Sequence, residues 1–594
     1  MCRARPNRPR EKSLAKHNLK NLDPQGRHVS RQPEVRLKKK PHLWMSVLGI
    51  WFLCVVIIER PLIAILFDAL STFQRSSLLI FLVWINFAWL YGIYQLVAMI
   101  FVAVTPHQNS ACNYSYQDSP VAVLYTTMND FSEDAATSCV HQDYSQFHVF
   151  ILDDSTESQY QLQVDEFCAR FPRIATVIRR QSHEGYKAGN LNHALQVISG
   201  RYEFFAVCDA DGILPPHFIS KTIVRFTDDA IGFVQARQRA TNPDNNSIAT
   251  DLAPGIDIYW ERIIPSAQTF GFVMFHGHGG IIRTKLWREI EGFPTIVAED
   301  LAFSTRAREK GYIGVVAADV VCGEDCPPSY EAFSKRQLKY ARGAFEHLRT
   351  EMWSFLCSSR VTWCEKADRL IASVAMISAF PLLIFLFNFA LILPISFSMP
   401  ANPGHGNVTV DGYLQPDFAH LPMFTWPFYL MTVITLLAPL APAVLHLRKH
   451  PIKLVRYLTV SVAIHLSLIC CQFWDILITA VTGKNSFPAT GDHACDTQLG
   501  TRDNATDFRR FNIINALGVS ALFTAAIISA STGFLPICLA MGVGIAVNTL
   551  GWKHALVRVT LVLPFTVIIL LIALSFYATV GLCGASILAT APGF

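Results

Sequence analysis

Three acidic groups carry the chemistry legible in this 594-residue chain: Asp153-Asp154, Asp209-Ala210-Asp211 and Glu299-Asp300. The first two follow β-forming runs, FHVFIL and EFFAVC, so their carboxylates emerge where a strand ends. Hard divalent cations take oxygen ligands, often one or two carboxylates plus substrate phosphates, and Asp209 with Asp211 offers such a pair. Asp153 also fits an Asx turn, in which the side chain accepts a downstream backbone amide. Glu299-Asp300 opens the helix-like stretch LAFSTRAREKGY, where acids complement the helix dipole. With the upstream acids and a basic, aromatic cluster from Arg336 to Tyr340 downstream, Asp300 reads further as a general base. Lys187-Ala188-Gly189-Asn190-Leu191-Asn192 opens another helix, where backbone amides and an ammonium can meet a phosphate. It lacks the glycine spacing of a P-loop.

These residues need a scaffold that brings distant loops together. VAVLYTTMND, FHVFILDDS, RIATVIRR, YEFFAVCDAD and IGFVQARQ read as strands, and EFCARFP, KAGNLNHALQVIS and HFISKTIVRF as intervening helices. That alternation predicts a mostly parallel sheet covered on both faces by helices, with ligands beyond the carboxyl ends of the strands.

Composition places this α/β insert in a membrane protein. The chain is 51% hydrophobic and only 16% charged, with a net charge of +5. Residues 1–41 hold thirteen Lys or Arg against three acids, just before an apolar run. They read as a cytosolic anchor by the positive-inside rule, not as a nucleic-acid arm, and they lack the profile of a cleaved signal peptide. Residues 42–105 predict two transmembrane helices, 106–350 the cytosolic domain, and 351–368 an amphipathic interface segment with Trp353, Phe355, Arg360 and Trp363. Two more spans are expected within 369–447, followed by 448–510, where the run 457–482 contains His465, Gln472 and Asp475 and either crosses or lies along the interface. Residues 511–594 predict three further spans. Asn407-Val408-Thr409 is a glycosylation sequon between spans. The fifteen cysteines have no CxxC pair or Cys/His ligand spacing and read as small apolar residues.

The order LYTTMND, ILDDS, GYKAGNLNHAL, AVCDAD, FHGHGGIIR, VAED and RQLKYARG resembles the processive family 2 glycosyltransferases: cellulose synthase, curdlan (β-1,3-glucan) synthase and, more distantly, chitin and hyaluronan synthases. The resemblance implies a GT-A domain in a polytopic α-helical membrane protein, and a UDP-sugar-dependent β-glycosyltransferase acting with Mg²⁺ or Mn²⁺. Its donor side would comprise Thr127, Asp130, Asp153, Asp154, Lys187, Asn190, Asp209, Arg336 and Lys339. Asp209 and Asp211 would bind the metal, Asp300 would be the base, and Gly277, His278, Glu299 and Tyr340 would meet the acceptor. Two departures stand out. Ala298 replaces the threonine of a Thr-Glu-Asp motif, and Arg336-Gln337-Leu338-Lys339-Tyr340 occupies the place of Gln-x-x-Arg-Trp, keeping a charge at Lys339 and an aromatic platform at Tyr340. Lys484 to Asp492 resembles a gating loop, with Phe487 and Thr490 its matching residues. If so, 457–482 is a cytosolic interface helix and the chain has seven spans, with its C-terminus outside the plasma (inner) membrane.

The function these residues imply is polymerisation of a UDP-hexose, with UDP-glucose the leading donor, into a β-1,3- or β-1,4-glucan that leaves through the protein's own helices. Expected partners are the donor, the growing polysaccharide, the bilayer, and further copies of the chain or accessory secretion subunits. An amino-sugar polymer synthase, a non-processive transferase to a lipid, and a transporter with a nucleotide-sensing domain are the alternatives.

Overall fold

The computed structural model describes residues 39–67, 71–105, 114–198, 200–241, 247–327, 330–398, 426–482 and 501–528, with isolated positions 538 and 542. Its soluble part is built on eight strands: β1 (Val121–Thr127), β2 (Phe147–Asp153), β3 (Ala175–Ile178), β4 (Phe204–Asp209), β5 (Gly212–Ile213), β6 (Ile231–Ala240), β7 (Gly280–Arg283) and β8 (Ile313–Glu324). They join in one sheet of order β3-β2-β1-β4-β7-β6-β8-β5.

The five expected strands form, and both sheet faces are covered. On β1, Val121, Val123 and Tyr125 pack on one side with Val149, Ile151 and Phe167, while Ala122 and Leu124 pack on the other with Leu191 and Leu195. Such two-sided burial explains why these strands read as continuous apolar runs and not as alternating ones. Each fully buried large side chain stabilises the fold by about 1.5–3 kcal/mol.

The sheet is mixed, which corrects the expectation of a mostly parallel one. β3, β2, β1 and β4 are parallel neighbours, as are β6 and β8, but β7 runs antiparallel to both β4 and β6, and β5 antiparallel to β8. The reason is local. The Gly-rich stretch before Gly280 turns the chain so that β7 enters from the carboxyl end of β4, with Val207 opposite Gly280. This lays residues 276–279 beside Asp209. The result, among the described residues, is an α/β domain on a mixed sheet.

Several helices have the length and apolarity to cross a membrane. Thr72–Val104, Trp426–Leu447 and Pro451–Thr482 do so singly, and two bent pairs, His42–Ile58 with Arg60–Leu66 and Trp363–Met376 with Ala379–Ile392, do so if each pair is one span. The run 457–482 lies within the single helix Pro451–Thr482, 32 residues long. The last two of the three spans expected within 511–594, apart from positions 538 and 542, the sequon at Asn407, and the loop containing Phe487 and Thr490 lie outside the described residues.

Ion pairs fasten two helices beside the sheet to this apolar part. The helix Glu299–Lys310 is tied by Arg306 to Glu351 and by Arg308 to Glu365, both through two-pronged contacts. Glu365 also completes a capping box with Thr362 at the start of Trp363–Met376. From the helix Tyr330–Thr350, Arg342 reaches Asp475 within Pro451–Thr482 by another fork, its Nη2 2.6 Å from Oδ1. Arginine's planar fork suits such partly buried carboxylate pairs.

Candidate active site

Strand register gathers the acids at one sheet edge. Thr127 stands opposite Asp153, and Thr126 opposite Asp209, so β1, β2 and β4 end together. Thr126 Oγ1 donates to Asp209 Oδ1 at 2.9 Å. Just beyond β1, Asp130 Oδ1 accepts from Thr127 Oγ1 at 2.8 Å and from the Met128 amide at 2.6 Å. This tight turn places Asn129 at φ 59°, where its Oδ1 receives the amides of Thr156 and Glu157 and locks the β1 turn to the β2 turn.

Asp153 and Asp154 are buried and answered by arginines. Asp153 Oδ1 accepts the Ser155 amide at 2.9 Å, an Asx turn, and its Oδ2 accepts from Arg179 Nε at 2.7 Å. Asp154 takes a bidentate contact from Arg180, whose Nη1 and Nη2 also donate to the carbonyls of Glu184 and Tyr186. Arg180 thereby holds the turn that starts the helix Tyr186–Ile198. That turn is so tight that a Cβ on Gly189 would collide with the Glu184 carbonyl. Asn190 Nδ2 ties the helix to Leu152 O at 3.1 Å, with its Oδ1 buried and unpartnered among the described residues.

Lys187 is the hub. Its Nζ lies 2.6 Å from Asp209 Oδ1 and 2.7 Å from Oδ2, and donates to Gly277 O at 3.0 Å. Burial disfavours the ammonium, but Asp209 and Glu299 outweigh this and raise its pKa. Burial likewise pushes Asp209 up, and Lys187, then His278, reverse the sign and hold it below the usual carboxylate value. Gly277 sits at φ +83°, a backbone state glycine adopts without strain, and a Cβ there would lie 3.5 Å from Lys187 Nζ and 3.7 Å from Asp300 Oδ2. One glycine thus marks where Lys187 and Asp300 approach each other.

Asp211 is exposed as a residue, yet its carboxyl is crowded by the surrounding protein and by other carboxylates. Burial, offset by His278, together with Asp209, Glu324 and Asp325, pushes it up to about 6. Pairing of Gly212 with Glu324 between β5 and β8 brings that crowding about. Among the described residues no three His, Cys, Asp or Glu side chains converge on a closed metal cage. Asp209 and Asp211 offer the carboxylate oxygens that Mg²⁺ or Mn²⁺ completes with phosphate oxygens and water, but both Asp209 oxygens are engaged by Lys187, so an ion there would displace that contact.

Glu299 and Asp300 open their helix without a side-chain N-cap. Ala298 is small for a reason: a Cβ on Gly343, in the neighbouring helix, would already lie 2.9 Å from the Ala298 Cβ. The amide of Val297 is received from that neighbour, by Glu346 Oε2 at 2.9 Å. Asp300 Oδ1 accepts its own helix's Leu301 amide at 2.7 Å, and Ser304 Oγ links the Asp300 carbonyl to the Phe275 amide. Burial raises Asp300 despite that amide and the nearby lysines. Burial and then Asp300 push Glu299 to about 7. A base with an elevated pKa, beside a second acid and two ammoniums, suits proton transfer near neutrality.

Arg336, Lys339 and Tyr340 lie at i, i+3 and i+4 on the helix Tyr330–Thr350. Arg336 Nη1 is 3.4 Å from Glu324 Oε1, and Lys339, its pKa lowered by burial, lies within electrostatic reach of Glu299, Asp209 and Asp300. Tyr340 stays 43% exposed, leaving its ring open as a platform. His278 is buried, with Nε2 2.9 Å from Gln238 Nε2 and Nδ1 unpartnered among the described residues. His276 Nε2 meets Tyr259 Oη at 2.9 Å.

The structure therefore brings Lys187, Asp209, Gly277, Glu299, Asp300 and Lys339 together, with Asp211, Arg336 and Tyr340 at the rim. Sequence reading missed Arg179, Arg180, Gln238 and Tyr259. For the two arginines a signal existed, since they end the strand-like run RIATVIRR opposite an acidic pair. Tyr259 lies in a π-helical turn, Tyr259–Ile263, that no apolar period reveals.

Residues 204–446 match the family model described as Glycosyl transferase family group 2. Over 227 residues the chain is 26% identical to the "Probable glucomannan 4-beta-mannosyltransferase 7" of Oryza sativa subsp. japonica, a match covering 37% of this chain and 38% of that protein. The chain thus aligns with well under half the length of this curated relative. Similar solved structures include the mannosyltransferase PcManGT from Pyrobaculum calidifontis in complex with GDP-Man and Mn²⁺, at 19% identity and a TM-score of 0.39, covering 64% of this chain and 99% of that one. TarS of S. aureus is similar at 19% identity and a TM-score of 0.28, covering 45% and 43%. Over residues 204–446 the chain is thus similar to glycosyltransferase family 2, and the enzyme class expected from its motifs is the class of the relatives it resembles.

Proposed function

We propose that the chain is a membrane-embedded, inverting glycosyltransferase that polymerises a UDP-hexose, with UDP-glucose the leading donor, into a β-glucan and passes the product across the membrane. The observation that carries this reading is the meeting of Lys187, Asp209 and Asp300 around Gly277 at the sheet edge, with the helix of Asp300 fastened by Arg308 to Glu365 and the helix of Lys339 by Arg342 to Asp475. Asp130 and Asp153 would face the nucleoside, and Asp154, through Arg180, would hold the turn carrying Lys187. Lys187, Lys339 and Arg336 would bind the diphosphate. A divalent cation on Asp209 and Asp211 would supply further charge neutralisation for the leaving group.

Asp300 would take the proton from the acceptor hydroxyl as that oxygen attacks the anomeric carbon from the face opposite the leaving diphosphate. One such displacement inverts the centre and needs no covalent intermediate. Glu299, His278 and Tyr340 would orient the acceptor. The N-terminus and catalytic domain would be cytosolic.

A second reading, transfer of mannose, is favoured by the printed activity of the rice relative. Purified protein in nanodiscs, incubated with labelled UDP-glucose, UDP-GlcNAc or GDP-mannose and Mg²⁺ or Mn²⁺, separates these readings. Polymer from UDP-glucose that linkage-specific β-glucanases digest is the expected result. Incorporation from GDP-mannose alone selects the second reading, and no incorporation from any donor by folded protein overturns both.

A further inference from the structure

Three carboxylates at the sheet edge are answered by a cation at contact distance, and the cations differ. Asp153 has Arg179 and Asp154 has Arg180, whereas Asp209 has Lys187. Arg179 and Arg180 also grip the backbone carbonyls of Gln161, Glu184 and Tyr186, so they belong to the framework. A lysine is a point charge with three rotatable donors on a flexible stem, and it can pass from one acceptor to another where a guanidinium fork is fixed.

Lys187 sits on Asp209 where a chelated ion would sit. Its Nζ straddles the carboxylate, 2.6 Å from Oδ1 and 2.7 Å from Oδ2, and Oδ1 accepts from Thr126 Oγ1 as well. Little of Asp209 is left for a second cation, and two positive charges on one carboxylate repel each other. The ammonium is itself mostly buried, its side chain 18% exposed, and its other hydrogen bond among the described residues goes to Gly277 O at 3.0 Å. Turned off Asp209 by an ion alone, it would be a buried charge stripped of its contact partner, which is a costly state. A diphosphate removes that cost. Its oxygens can accept from the ammonium and also complete the shell of an ion on Asp209 and Asp211.

We propose that Lys187 is a built-in counter-ion that closes Asp209 to a divalent cation until the diphosphate of the donor takes the ammonium over. The inference rests on the sugar-transfer reading and adds an order to it: the cation enters with the nucleotide and not before it.

Full-length protein in nanodiscs of neutral lipid is titrated with Mn²⁺, with and without UDP, and the free ion is counted by electron paramagnetic resonance. Asp209→Asn gives the background of ions bound elsewhere. Without UDP, Lys187→Met should bind Mn²⁺ roughly 5–150-fold tighter than wild type, the usual span for two coupled events. UDP should then add less to that affinity than it adds in wild type. Lys339→Met removes a cation that acts on Asp209 through space and should change Mn²⁺ affinity far less. Lys187→Arg puts a carboxylate-fitting fork in place of the rotatable ammonium and should weaken Mn²⁺ binding. Mn²⁺ bound no tighter by Lys187→Met than by wild type, or an equal gain in Lys339→Met, overturns the proposal. If Lys187→Met does not fold, Lys187→Arg decides: an affinity equal to or above that of wild type overturns it. Ion binding is read without turnover, so a protein that shows the predicted pattern yet transfers no sugar refutes the function proposed above and not this counter-ion.

Discussion

The two sides of the active site handle charge in opposite ways. At the ends of β1 and β2, Asp130, Asp153 and Asp154 are engaged by backbone amides, a threonine hydroxyl and two arginines. Around the start of Glu299–Lys310, Glu299 and Asp300 are held up in pKa by burial. Charges satisfied within the chain fix shape and cost little. Charges left incompletely answered cost stability and are what a substrate can use. Aspartates of the same chemistry thus do different work according to what the fold places beside them.

That contrast can be broken at either end. The largest effect is expected at Asp300: replacing it with Asn should lower kcat by about 10²–10⁴-fold, the usual contribution of a general base, while donor affinity stays close to wild type. On the satisfied side, Asp154→Asn leaves the Arg180 guanidinium without its counter-charge and should cost about 3–5 kcal/mol of stability, measured as a lowered midpoint of thermal unfolding.

A smaller effect follows from Glu299, whose pKa is raised from 4.5 to about 7 by burial and then Asp300. Its folded-state value lies above its unfolded one, so the carboxyl is harmless below about pH 4.5 and destabilises as it ionises through about pH 7. The unfolding midpoint of the ligand-free protein should therefore fall between about pH 5 and about pH 8, and Glu299→Gln should flatten that decline. An identical slope in the variant would remove Glu299 from the account. The smallest change tests packing: Gly343→Ala puts a methyl against Ala298 and should cost about 1–3 kcal/mol by overpacking.

Much of this arrangement was legible in the sequence because strands buried on both faces leave unbroken apolar runs, and β1, β2, β3, β4 and β6 were found that way. β7 escaped because four residues after a glycine cluster show no period, and with it went the antiparallel turn that sets Gly277 beside Asp209. The acids themselves stood out by type and position. Their partners did not, since Arg179 and Arg180 reach across 26 positions to Asp153 and Asp154, a pairing that only the β2 and β3 register creates. The fit of Ala298 against Gly343 has no local sequence signature either; it arises from two helices distant in the chain.

The most direct test is a parallel measurement of kcat, donor affinity and unfolding midpoint on Asp300→Asn and Asp154→Asn in the same lipid. The account predicts a crossed result: Asp300→Asn folds as well as wild type and binds donor but turns over about 10²–10⁴-fold more slowly, whereas Asp154→Asn unfolds earlier and keeps measurable turnover below its midpoint. Wild-type kcat in Asp300→Asn, or an unaltered midpoint in Asp154→Asn, would contradict it.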